Sequence, residues 1–182
     1  MAELPVPHWL KPGHRFESGP YLLDLYRLLS MELADERVVN LAETEFPVIE
    51  RLRGEFVEGE CIRILTSTSI ALRILFDQHD ERLAGRRDEE LDDIKNGDCG
   101  RLYGNWPKVK ESEVLTLLEA CNKIIHATKV NRDVADPDPG RKPSYYQPYL
   151  YLYGKKDDLD WRAELSIIHF VGLATTVFLR SY

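Results

Sequence analysis

Cysteine is scarce in this 182-residue chain, and the three cysteines are too scattered for a disulfide framework. No CxxC pair occurs, so a zinc motif is excluded as well, and a reducing compartment fits this cysteine usage best. Basic residues are in the minority, because 24 lysines and arginines stand against 31 aspartates and glutamates, for a net charge of −7. Bulk charge therefore does not favour nucleic acid, and an RNA site would need a local basic patch.

The chain also lacks an apolar run that predicts a membrane span. Its most apolar stretch, residues 165–179, contains His169 and falls short of the roughly 20 residues that cross a bilayer. The first residues do not have the basic-then-apolar layout of a signal peptide. We therefore expect a cytoplasmic protein without membrane contact. We also expect no metal and no cofactor, because the five histidines have no ligand-like spacing.

What the chain does have is helical periodicity. Apolar residues recur at intervals of three and four over residues 22–33, 57–76 and 114–125. Helical composition continues beyond the first of these regions to about Arg53, but Pro47 must break or kink the helix, because proline lacks an amide donor and clashes with the preceding turn. Ser112 is the predicted N-cap of the third helix.

The last third of the chain predicts one strand and one helix. Over residues 148–154, three tyrosines alternate with two leucines, which is typical of a half-buried strand. Such a strand must pair with another extended segment, and residues 99–106 and 141–147 are the two candidates. A final helix is predicted over residues 161–181, with Asp160 as its N-cap and with apolar side chains on both faces. Together these patterns predict a mainly α-helical bundle of four to five helices, with a small β excursion near residues 148–154.

The predicted domain organisation is simple. Residues 1–19 are rich in proline and glycine, so we expect an irregular N-terminal arm. Residues 20–182 then form a single helical domain. Within it, residues 81–107 are polar and punctuated by glycines, which predicts a long surface loop.

The end of the third predicted helix carries the most informative motif. Asn122 and His126 are four residues apart and so fall on one helical face, and Lys123 precedes the histidine by three. That face borders the apolar stripe, so we expect His126 at the margin of the core, in a groove or at an interface. The segment from Cys121 to His126 resembles the motif of the HEPN family, small helical-bundle proteins common in prokaryotic defence and toxin–antitoxin systems.

This resemblance implies metal-independent RNA cleavage at a groove between two copies of the chain. It implies that His126 takes a proton from a ribose 2′-hydroxyl and that Asn122 orients the imidazole or the phosphate. The family's arginine, which stabilises the charge on phosphorus, is replaced here by Cys121. Lys123 would then supply a catalytic cation, and Lys129 and Arg132 would contact the substrate.

A second interpretation of the same residues stays open. A histidine near a helix C-terminus can be structural, because its protonated form interacts favourably with the helix dipole. The chain would then be a non-catalytic module that dimerises or binds a protein partner through its last helix and its tyrosine strand. In either interpretation we expect a homodimer.

Residues 122–142 are locally basic, with five basic against three acidic residues, which is the RNA-contact signal in the sequence.

Overall fold

The computed structural model describes residues 17–83, 88–135 and 144–180, and these contain five helices and five strands. The helices are α1 (Gly19–Thr44), α2 (Val48–Leu83), α3 (Glu89–Lys95), α4 (Leu117–His126) and α5 (Ile167–Arg180). The strands are β1 (Asp98–Gly104), β2 (Glu113–Thr116), β3 (Lys129–Ala135), β4 (Tyr145–Lys156) and β5 (Leu159–Ser166). The first sixteen residues of the predicted N-terminal arm lie outside the described residues.

The five strands form one antiparallel sheet in the order β2-β1-β5-β4-β3. The architecture is therefore α+β, and the predicted mainly helical bundle is wrong. The predicted tyrosine strand is part of the longer strand β4, which pairs with β3 on one side and β5 on the other. Four further strands complete the sheet, and the pairing of β1 with β5 joins segments far apart in sequence, which local periodicity does not predict.

The predicted final helix is the clearest example of this error. The first third of the segment predicted as this helix belongs to strand β5. Every second side chain there is buried against the core, namely those of Trp161, Ala163 and Leu165. Helix α5 begins only at Ile167. The predicted cap Asp160 lies within the strand, and the Ser166 hydroxyl instead accepts a hydrogen bond from the His169 amide at 3.4 Å.

The predicted polar loop at residues 81–107 contains regular structure as well. Helix α3 begins after Asp88, whose side chain accepts a hydrogen bond from the Leu91 amide at 3.1 Å, and β1 follows. Gly100 has a φ of +143°, and a Cβ there would collide with the Glu164 carbonyl of β5. This glycine therefore permits close strand pairing, whereas the sequence pattern had indicated a loop.

The helices form two layers on one face of the sheet. Helices α1, α4 and α5 contact the strands, and α2 packs mainly on α1 and α4. The core between them is aliphatic and aromatic, and all three cysteines are buried in it.

The break at Pro47 is confirmed, because α1 ends at Thr44 and α2 begins at Val48. None of the helices in the described ranges is long and apolar enough to cross a membrane.

Candidate functional site

Helix α4 holds the predicted motif, and its ends are set by the sheet. Residues 113–116 pair with β1 as strand β2, so the helix starts at Leu117 instead of near Ser112. Thr116 is the N-cap, and its hydroxyl accepts a hydrogen bond from the Glu119 amide at 3.3 Å. The helix stops at His126 because the next residues turn into β3, where the Thr128 amide donates to the Tyr153 carbonyl at 2.8 Å.

The three predicted catalytic residues come together in one cavity of about 340 Å³, here called the His126 cavity. Its lining combines the end of α4 with the hairpin between β4 and β5. The lining residues are Glu119, Asn122, Lys123, His126, Lys155, Lys156 and Trp161. A histidine, an amide, a carboxylate and three ammonium groups therefore surround a single space open to solvent.

Glu119 organises the inner wall of this cavity. Its carboxylate accepts hydrogen bonds from Asn122 Nδ2 at 3.1 Å and from Lys123 Nζ at 3.0 Å. Lys123 is only 7% exposed, and its ammonium lies 4.5 Å from the centroid of the Trp161 ring. Burial raises the pKa of Glu119, but the hydrogen bonds from Asn122 and Lys123 and the nearby lysine charges outweigh it and lower the pKa. Glu119 is thus held as a carboxylate.

His126 lies at the rim of the cavity with an exposed side chain, at the margin of the core. Among the described residues, no side chain hydrogen-bonds its imidazole. Its backbone is held closely, because a Cβ at Gly154 would meet the His126 carbonyl oxygen at 3.1 Å and collide with the Trp161 ring. Gly154 therefore lets β4 approach the end of α4, and this close approach fixes where His126 meets the cavity.

Lys155 and Lys156 are site residues that the sequence reasoning missed. They end β4, and the two-residue turn Asp157–Asp158 that follows has positive φ at both positions, 50° and 63°. Lys155 is 69% exposed and lies 3.8 Å from Asp160. The available signal was the Lys-Lys-Asp-Asp run directly after the tyrosine strand, which is a hairpin-turn sequence that carries two cations.

The two predicted substrate-binding residues do not line the His126 cavity. Lys129 is exposed on β3, and its Nζ lies 5.6 Å from the Tyr153 ring. The Arg132 side chain is only 7% exposed, and its guanidinium donates to both carboxylate oxygens of Glu32 at 2.8 and 3.0 Å and to Cys61 Sγ at 3.2 Å. Burial raises the pKa of Glu32 against the opposing influence of Arg132. Arg132 is therefore committed to holding α1 against the sheet.

Two other residues from the sequence analysis lie away from this site. Cys121, which stands at the arginine position of the motif, is buried, and burial raises its pKa to about 12. His169 is exposed and lines a separate cavity with Tyr149 and Tyr151.

Comparison of the chain with protein-family models, with curated proteins and with solved structures returns no match. Within the described residues, no three His, Cys, Asp or Glu side chains group as metal ligands would.

Proposed function

We propose that this protein cleaves RNA at the His126 cavity, by the metal-independent chemistry that the HEPN resemblance implies. One observation carries the proposal: a solvent-exposed histidine shares a cavity with the motif residues Asn122 and Lys123 and with the two further cations Lys155 and Lys156. The cellular setting that goes with this function is the cytoplasm, in a defence or toxin–antitoxin role.

The proposed reaction needs one proton acceptor near the ribose. The His126 imidazole takes the proton of the 2′-hydroxyl, and the freed oxygen bonds to the adjacent phosphorus. The bond from phosphorus to the 5′-oxygen of the next nucleotide then breaks, and that oxygen takes a proton from solvent. The products are a 2′,3′-cyclic phosphate and a free 5′-hydroxyl.

Positive charge is needed where charge develops on the phosphate oxygens. Lys155 and Lys156 are exposed at the cavity rim, so their ammonium groups can reach a phosphate that enters from solvent. In the motif, Cys121 stands where the family has an arginine, and Lys155 and Lys156 supply the positive charge instead. Each ammonium is a point charge, whereas a guanidinium is a forked donor. Lys123 is paired with Glu119, so it acts mainly by holding the inner wall in place.

The α+β architecture limits what the resemblance supports. The HEPN likeness implied a helical bundle with the site between two copies, whereas the His126 cavity is formed within one chain by α4 and the β4–β5 hairpin. The proposal therefore rests on the motif residues and the cavity, and the family's overall fold contributes nothing to it.

Incubation of the purified protein with a mixed RNA pool in EDTA tests this function. We expect cleavage that leaves cyclic phosphate ends and that is lost in His126→Ala. Because the His126 side chain is exposed, this variant should lose no more than about 1 kcal/mol of unfolding free energy in urea denaturation.

The matched control is His169→Ala, which removes an exposed histidine that lines a different cavity. It should cleave RNA like the wild type. If intact RNA is recovered with wild-type protein, or if both histidine variants keep full activity, the proposed function is wrong.

A non-catalytic interaction module is the second candidate function. It is favoured by the sheet face opposite the helices, where Tyr149 and Tyr151 of β4 and Arg162 of β5 are at least partly exposed. The Arg162 guanidinium lies 4.6 Å from the Tyr151 ring, and both tyrosine and arginine are enriched at protein interfaces. Partner binding that His126→Ala leaves unchanged, in a protein without RNA cleavage, would favour this candidate.

A further inference from the structure

A second cavity of about 480 Å³ opens beside the His126 cavity, here called the Leu102 cavity. The two cavities share one wall, formed by Glu119, Lys123, Lys156 and Trp161. A ligand that places one group in the His126 cavity can therefore place a neighbouring group in the Leu102 cavity. The volume falls in the range of small-molecule sites in proteins.

Aliphatic side chains from three strands line the Leu102 cavity: Leu102 of β1, Val114 of β2 and Leu159 of β5. Val114 is 47% exposed and Leu159 is 52% exposed, so both present apolar surface to the opening. Trp161 is not free to stack on a ligand, because Lys123 lies over its ring and Gly154 packs against it. The aliphatic wall is thus the surface that would contact the flat face of a bound ring.

The two cavities differ in the sign of their charge. The His126 cavity has one carboxylate against three lysines, whereas the Leu102 cavity has four carboxylates against two lysines. The four carboxylates are Glu113, Glu119, Asp157 and Asp160. The first cavity thus favours a phosphate, and the second favours groups that donate hydrogen bonds.

Two of these carboxylates, those of Glu113 and Asp157, can still accept hydrogen bonds from a ligand. Glu119 is occupied by Asn122 and Lys123, and Asp160 lies 3.8 Å from Lys155. Within the described parts of the chain, no side chain donates a hydrogen bond to Glu113 or to Asp157. Glu113 is exposed on β2, next to Val114 of the aliphatic wall.

We infer that the Leu102 cavity binds the nucleobase next to the phosphate in the His126 cavity and prefers guanine to uracil. This inference rests on the proposed function. A carboxylate only accepts hydrogen bonds, and guanine presents a ring N–H and an amino group side by side. Uracil presents one N–H between two carbonyl oxygens, which a carboxylate repels.

Nucleotide binding to the full-length chain, measured by isothermal titration calorimetry, tests the inference. The probes are guanosine 3′-monophosphate, uridine 3′-monophosphate and inorganic phosphate. We expect the guanosine nucleotide to bind about tenfold more tightly than the uridine nucleotide, as one charge-assisted hydrogen bond allows. Glu113→Gln should remove most of that difference and leave phosphate binding unchanged.

The matched control is Glu111→Gln, which neutralises an exposed carboxylate two residues away that lines neither cavity. It should bind both nucleotides like the wild type. Equal binding of the two nucleotides, or a preference that Glu113→Gln does not change, overturns the inference.

Cleavage and base preference are separate readouts, so the two proposals fail separately. RNA cleavage without a guanosine preference removes the base site and keeps the His126 chemistry. A Glu113-dependent guanosine preference without RNA cleavage keeps the base site and removes the cleavage. If neither is observed, both proposals are wrong.

Discussion

At the scale of single residues, burial decides which side chains of this chain are reactive. Cys61, Cys99 and Cys121 are buried in the core, and burial raises the pKa of each thiol to about 12. At pH 8 this leaves on the order of one thiolate in ten thousand, and the thiolate is the reactive form. His126 is the contrasting case, because its side chain faces solvent at the cavity rim.

We predict that none of the three thiols reacts with a chromogenic disulfide reagent at pH 8 while the protein is folded. All three should react within minutes once the chain is unfolded in guanidinium chloride. Ser30→Cys, which places a thiol on the exposed side of α1, is the positive control and should react at once. Rapid labelling of a native cysteine in folded protein would show that its site opens to solvent.

At the scale of elements, buried ion pairs connect α1 to the sheet and to α2. Arg132 of β3 binds Glu32 of α1, and Arg53 of α2 binds Asp35 of α1 at 2.7 and 2.8 Å. The Asp35 carboxylate also accepts a hydrogen bond from the Tyr146 amide of β4 at 2.6 Å. Together these contacts fix how α1 lies on the sheet and against α2, and breaking one of the ion pairs leaves a buried charge without a partner.

We predict that Arg132→Met destabilises the fold by about 3–5 kcal/mol in urea denaturation at pH 7, because Glu32 is left buried and unpaired. Burial already raises the pKa of Glu32, and loss of Arg132 raises it further. When the pKa of a carboxyl is higher in the folded state than in the unfolded state, its protonation stabilises the folded state. The deficit should therefore shrink as the pH falls from 7 towards 5.

Arg37→Met is the matched control, because Arg37 is exposed on the same helix as Glu32. It should change the unfolding free energy by no more than about 0.5 kcal/mol at either pH. A deficit in Arg132→Met that is small, or that does not vary with pH, would mean that water solvates Glu32 in the variant.

At the scale of the whole molecule, the exposed side of α5 is the surface we expect a second copy to cover. One side of the helix is buried in the core, and the other exposes Ile168 and Leu179, which are 42% and 59% exposed. The sequence predicts apolar side chains on both faces of this helix. The core covers only one of these faces, so the prediction of a homodimer depends on the exposed apolar residues.

We predict a homodimer with a mass of twice 21.1 kDa in light scattering. Ile168→Glu should shift the mass to that of the monomer, because the new charge would be buried at the interface. Ile74→Glu introduces the same charge on the exposed side of α2 and should leave the dimer intact. A mass of 21.1 kDa at all concentrations of the wild-type protein would contradict the prediction.

The sequence by itself determined the features that depend on nearby residues. The break at Pro47, the alternation of tyrosines and leucines in β4 and the common face of Asn122 and His126 all follow from local backbone geometry. Only the tertiary structure decided which segments pair into the sheet. The pairing of Gly100 in β1 with Leu165 in β5 joins residues far apart in sequence, and its backbone hydrogen bonds do not depend on which side chains the strands carry.

The same distinction explains the candidate site. The α4 motif was visible because its residues are neighbours on one helix, but Lys155 and Lys156 join it only when β4 approaches the end of α4 at Gly154. Arg132 follows the motif closely in sequence, but β3 turns it towards Glu32, a hundred residues earlier in the chain. Which cations reach the cavity was therefore decided by how the strands pack against the helices.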